Sequence, residues 1–159
     1  SELSAGDVQH HVLNRVLDIA SGQGREGREG KPVGTLFVLG QIERVTPHCR
    51  QMVINPFKGY EEDQCNILDP SLDETIKEFS VIDGAFILRG DGIVVSAGTH
   101  LSVPTRDLEL QPGLGARHTA AAGITASTGA LAVTISESTG TVRLYAQGKA
   151  IMVLPRDGG

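Results

Sequence analysis

Val81-Ile82-Asp83-Gly84-Ala85-Phe86-Ile87-Leu88, the turn Arg89-Gly90-Asp91-Gly92 and Ile93-Val94-Val95-Ser96-Ala97 follow one another without a break. Two β-favouring runs joined by a turn rich in glycine and aspartate read as an antiparallel hairpin. Asp83-Gly84 interrupts the first run. An aspartate buried at a strand start is costly unless it is paired or bound to a metal, and Gly84 removes a side chain that would hold a ligand off the backbone.

Towards the C-terminus, residues 98–112 read as a long connection carrying His100, Leu101, Pro104 and Pro112, and connections of this length are often functional. It leads into Gly113-Leu114-Gly115-Ala116-Arg117-His118-Thr119-Ala120-Ala121. There a glycine-loosened turn delivers a cation and an imidazole into the first turn of an alanine-rich helix. Unpaired N–H groups at a helix N-terminus, the positive end of the macrodipole and an arginine able to fork onto two oxygens together make a phosphate cradle, although the same residues also suit an ordinary surface cap. Beyond the helix, Leu131-Ala132-Val133-Thr134-Ile135-Ser136 reads as a buried strand with Glu137 and Ser138 at its end. Thr141-Val142-Arg143-Leu144-Tyr145 and residues 149–154 complete a meander through the turn Gln147-Gly148.

Towards the N-terminus, Asp69 before Pro70 supplies an N-cap and a favoured first helical residue, and Leu72, Ile76 and Phe79 mark one face of a helix ending near Ser80. Within residues 51–60, Met52-Val53-Ile54 is apolar and Asn55-Pro56 turns the chain. Gly34-Thr35-Leu36-Phe37-Val38-Leu39-Gly40 reads as a buried strand. Val8, Val12, Leu13, Val16, Leu17 and Ala20 form the stripe of an amphipathic helix over residues 8–20, with His10 and His11 off the stripe and facing solvent. Residues 21–33 form a glycine-rich, charged loop in which Arg-Glu-Gly occurs twice. It is not a P-loop, because Arg25 stands where the first glycine is needed and Pro32 follows Lys31. The fold class is α/β (α+β): a central mixed, largely antiparallel sheet flanked by helices.

The 159 residues read as a single domain, 1–159, able to bury roughly two-thirds of its unfolded surface. A 40% hydrophobic and 21% charged composition is that of a soluble globular chain. A net charge of -5 argues against nucleic-acid binding. No apolar run approaches the roughly 20 residues of a membrane span, and two well-separated cysteines, Cys49 and Cys65, read as reduced thiols of a cytoplasmic protein. The missing initiator Met and the ending Asp157-Gly158-Gly159 point to a domain excised from a longer chain.

Four features share one character: Asp83 at a strand start, the 98–112 loop, the Arg117-His118 helix start and Glu137 at a strand end. Two carboxylates for a divalent cation, a phosphate-binding helix terminus and an apolar loop to cover a base are what nucleotidyl transfer requires. Asp83-Gly84-Ala85 with Phe86-Ile87-Leu88-Arg89-Gly90, then Gly115-Ala116-Arg117-His118-Thr119-Ala120-Ala121, then Ile135-Ser136-Glu137, resembles the diadenylate cyclase (DAC) domain family, which makes cyclic di-AMP from two ATP molecules. The similarity runs from Arg28-Glu29-Gly30-Lys31-Pro32 to the final strands, and the divergent residues 47–63 are similar to the archaeal branch.

The resemblance implies a DAC-domain fold and an ATP-binding nucleotidyltransferase that binds Mn²⁺ or Mg²⁺, acts as a homodimer or higher homo-oligomer, and makes a second messenger. It implies that Asp83 binds the metal and helps deprotonate the ribose 3′-hydroxyl, with Gly84 letting the ribose approach and Ala85 among the nucleotide contacts. His100 and Leu101 would contact adenine. Arg117, His118 and Thr119, opening after Gly115, would hold the triphosphate, with Ser136 on phosphate and Glu137 on metal. Two positions depart from the family: its Arg-His-Arg is Arg117-His118-Thr119 here, and its Ser-Glu-Glu is Ser136-Glu137-Ser138. A hydroxyl in place of a bidentate cation weakens the grip on a leaving pyrophosphate. The departures imply slower turnover or another local cation; the alternative is a weakened adenine-nucleotide or cyclic di-AMP binding regulatory module.

Overall fold

The computed structural model describes residues 6–156. A seven-stranded sheet has helices on both faces. Helix α1 (His10–Glu26) precedes β1 (Thr35–Leu39), and a short helix α2 (Ile42–Val45) precedes β2 (Cys49–Gln51). Helix α3 (Asp73–Phe79) then leads into the hairpin of β3 (Ala85–Leu88) and β4 (Val94–Leu101). Helix α4 (Ala116–Thr128) and the meander β5 (Leu131–Ile135), β6 (Val142–Ala146) and β7 (Lys149–Leu154) complete the chain.

The strand order is β2-β4-β3-β1-β5-β6-β7. Only β1 and β3 run parallel, and every other pairing is antiparallel. Alternation along each strand divides the core in two. Phe37, Leu39, Phe86, Leu88, Val133, Ile135 and Leu144 pack with α1 and α3, while Leu36, Val38, Ala85, Ile87, Ala132 and Tyr145 pack with α4. The topology also gathers one set of strand ends. The starts of β1, β3 and β6 and the ends of β4 and β5 all lie at one end of the sheet, beside the N-terminus of α4.

Several local expectations are corrected. Residues 21–26 are helical, extending α1 beyond residue 20. Glycine usually weakens a helix, but a Cβ on Gly24 would collide with the backbone carbonyl of Gly140. That glycine therefore serves close packing rather than a loop. The remaining turn is closed by a bridge between Arg28 and Lys31. Asp69 accepts from the Ser71 amide as an N-cap, but the helix it opens begins with a 3-10 turn, Pro70–Leu72, before α3.

Strand β3 begins at Ala85, not at 81. Gly84 has φ +107°, and a Cβ there would stand 2.7 Å from the backbone of Gly98 and Thr99. The room Gly84 makes is thus filled by β4. Asp83, expected to be buried, is exposed in the preceding turn. His100 and Leu101 belong to β4 rather than to a loop, pairing with Arg50 and Cys49 of β2, so the long connection starts at Ser102. Both cysteines are free, and His10 and His11 are exposed on α1. Among the described residues no helix is long and apolar enough to cross a membrane.

Candidate active site

Helix α4 opens without a side-chain cap and with no acidic residue in its first turn; Gly115, its N-cap, is extended at φ -91° and ψ -165°. The first amide bonded within this turn is that of Thr119, to the Gly115 carbonyl at 3.2 Å. The preceding helical amides, those of Ala116, Arg117 and His118, lack a carbonyl one turn back. The positive end of the helix is therefore neither capped by a side chain nor offset by an acidic residue of its own first turn.

Ala116 and Arg117 form the wall shared by two clefts. On one side a cleft of about 110 Å³ is lined by Asp83, Gly84, Ala85, Thr99, His100 and Leu101, with Leu36 and Ala120 closing it. Its floor is apolar, and the buried hydroxyl of Thr99 is fixed by Ser96 at 2.6 Å and Gln51 at 3.0 Å. Asp83 stands at the rim, its carboxylate accepting from the Gly84 amide at 3.1 Å. On the other side a cleft of about 420 Å³ runs from Gly115 past Arg117 and His118 to Ser136, Glu137 and Arg143.

Arg117 sits over Gly34, whose missing side chain leaves the room: a Cβ there would stand 2.6 Å from Nη1 of Arg117 and 3.0 Å from the Glu137 Cβ. The guanidinium is 3.8 Å from Oε2 of Glu137, a carboxylate whose side chain is 73% exposed. An ion pair so long and so wet contributes little, which leaves the arginine's donors for a ligand. Ser136 is buried, its hydroxyl 3.1 Å from that of Ser138 and accepting from the Thr139 amide at 3.3 Å.

His118 is only 7% exposed and its Nε2 has no hydrogen-bond partner. Burial, then the guanidinium groups of Arg143 and Arg117, push its pKa down to about 4. The ring is neutral near pH 7 and can offer a hydrogen bond rather than a charge.

The structure brings Asp83, Gly84, Ala85, His100, Leu101 and Arg117 to one cleft and Gly115, Arg117, His118, Ser136 and Glu137 to the other. Thr119 is turned away. Its hydroxyl donates to the Gly115 carbonyl at 3.3 Å, and the residue lines a third cleft with His118, Tyr145 and Lys149. Two residues were missed in the sequence. Gly34 carried a signal only as a glycine before a strand, and Arg143 looked like a polar residue on the outer face of a strand.

Among the described residues no three His, Cys, Asp or Glu side chains gather as a metal cage. Asp83 and Glu137 instead offer hard oxygen donors on either side of Arg117. Either carboxylate suits Mg²⁺ or Mn²⁺, which bind through one or two carboxylates and complete their shell with substrate phosphates and water.

The family model described as "DisA bacterial checkpoint controller nucleotide-binding" matches residues 22–150. A protein from Methanocaldococcus jannaschii named diadenylate cyclase is 45% identical over 145 residues, covering 91% of this chain and 46% of that protein. One of the same name from Haloferax volcanii is 38% identical over 141 residues, covering 89% and 51%. The chain thus spans about half the length of these relatives. A crystal structure of DacA from Staphylococcus aureus superposes with a TM-score of 0.54 at 22% identity, covering 87% of this chain and 83% of that one.

Proposed function

The chain belongs to the diadenylate cyclase (DAC) domain family, and from that premise we propose that it condenses two ATP molecules into cyclic di-AMP and two pyrophosphates. The observation that carries the reading is the Ala116-Arg117 wall, with a base-sized apolar cleft and Asp83 on one side and a polar cleft with Ser136 and Glu137 on the other. An adenosine in the first and a triphosphate in the second would cross the helix N-terminus where the two meet.

In this reading Leu101, with Leu36 and Ala85, packs against adenine, and His100 borders it from β4. Asp83 faces the ribose and takes the proton of the 3′-hydroxyl as that oxygen attacks the α-phosphorus of the other ATP. The bond from the α-phosphorus to the bridging oxygen breaks, and pyrophosphate leaves with the pair. Arg117, the free amides of α4, the neutral His118 imidazole and Ser136 hold the triphosphate, so that acceleration comes from positioning and preorganised donors. Held by Asp83 and Glu137 with the phosphate oxygens, Mg²⁺ or Mn²⁺ would supply neutralisation of charge on the reacting phosphates.

One domain with one ATP presents half of a two-fold reaction. Two copies therefore meet face to face, isologously, so that each 3′-hydroxyl reaches the other nucleotide's α-phosphorus. Incubation with ATP and Mn²⁺ followed by chromatography tests the reading: cyclic di-AMP is expected, and ATP bound but unconverted at high protein concentration would favour the binding-module alternative.

A further inference from the structure

We propose that Arg143 is a phosphate-binding residue of the triphosphate cleft, supplying from the sheet the second cation that Thr119 does not supply from the helix. The inference deepens the reading above and rests on it for the anion's identity as the ATP triphosphate.

Arg143 is the second residue of β6, near the end of the sheet beside the α4 N-terminus. Its neighbours Val142 and Leu144 are buried in the core under α1, which turns Arg143 to the opposite face, the face of α4. It lines the same cleft as Arg117, His118, Ser136 and Glu137. Its Nε is buried without a hydrogen-bond partner, and among the described residues it forms no ion pair. Arg143 is half-buried, and a guanidinium nitrogen held out of water without an acceptor is costly unless something else supplies the bond.

Its surroundings repeat the pattern. The buried side-chain polar atoms without partners among the described residues are Nε of Arg143, Nε2 of His118 and Oγ1 of Thr134. Thr134 is the direct register partner of Arg143 across β5 and β6, and His118 shares the cleft. Such orphans are rare in native proteins; Thr134 is fully buried, but Arg143 and His118 line the cleft beside the uncapped helix N-terminus and mark a place where a ligand completes the bonding. The ligand is an anion, because the nearby side chains able to bear positive charge, Arg117 and Arg143, face a single carboxylate, Glu137. An oligophosphate fits best, since the two guanidinium forks, helix amides and hydroxyl are spread along a cleft of about 420 Å³, far more than one phosphate fills.

The test is calorimetric binding of inorganic tripolyphosphate and of adenosine to the whole chain and to Arg143→Met. Tripolyphosphate affinity is expected to fall about tenfold or more, adenosine affinity to stay within about twofold, and Arg143→Lys to be intermediate because it keeps the charge without the fork. No buried acid is left unpaired by Arg143→Met, so its melting temperature should not fall. If Arg143→Met fails to fold, Arg143→Gln, polar and uncharged, decides the matter with the same ligands. Wild-type tripolyphosphate affinity in the folded variant overturns the proposal. The assay needs no turnover: a chain that makes no cyclic dinucleotide yet binds tripolyphosphate through Arg143 would refute the cyclase reading and uphold this one.

Discussion

Gly34 lies directly beneath Arg117: a Cβ on the glycine would stand 2.6 Å from Nη1 and 3.0 Å from Cζ of the guanidinium. The start of β1 is thereby hollowed to seat the arginine that divides the two clefts. Gly34→Ala should push the guanidinium out and weaken ATP binding by about tenfold, with a stability change of about 1 kcal/mol because the arginine's exposed end can move. Titration with ATP, alongside thermal melting, separates the two effects.

Asp83 is exposed and bonds only to the adjacent Gly84 amide, so its removal should leave the fold intact. Asp83→Asn is expected to abolish cyclic di-AMP formation while ATP binding stays measurable. Turnover at the wild-type rate in that variant would refute the assignment of Asp83 as base and metal ligand.

His118 gives a pH signature. Its folded pKa, about 4, lies below the ordinary histidine value of 6.5, so the unfolded chain takes up the proton first. Its contribution is fully present above about pH 6.5, is lost as pH falls towards about 4 and then levels off, amounting to about 1–3 kcal/mol once solvent screening is allowed for. Denaturant melts from pH 7 to 4 should show this loss, and His118→Phe should remove it.

Gly22 and Gly24 make a paired test of α1. Nothing lies within 4 Å of a Cβ on Gly22, whereas one on Gly24 collides with the Gly140 carbonyl. Gly22→Ala should stabilise by about 0.5–1 kcal/mol, and Gly24→Ala should destabilise by about 1–3 kcal/mol. Equal effects in urea denaturation would contradict the packing of α1 against the β5–β6 turn.

These glycines also show where the sequence was legible. The hairpin of β3 and β4 and the meander β5 to β7 could be read because alternating apolar residues and glycine turns state a strand locally. The end of α1 could not, because Gly24 looks like a loop residue until Gly140 is seen against it. His100 and Leu101 fell outside the expected strand because Gly98, at φ +68°, lies where the β3–β4 register shifts. Arg117, His118, Asp83 and Glu137 could be singled out because each combines a chemical group with a turn or an element end. Arg143 reads in the sequence like any outward polar residue of a strand, and only the sheet order, which brings the start of β6 beside the start of α4, gives it a part in the site.

Specific activity across protein concentration tests the central claim most directly. With ATP and Mn²⁺ held constant and cyclic di-AMP quantified, product per domain should fall steeply on dilution below the dimer's dissociation constant, because each domain supplies half of a two-fold site. Activity per domain that stays constant under conditions where sedimentation shows a monomer, or no cyclic di-AMP at any concentration, would contradict the account.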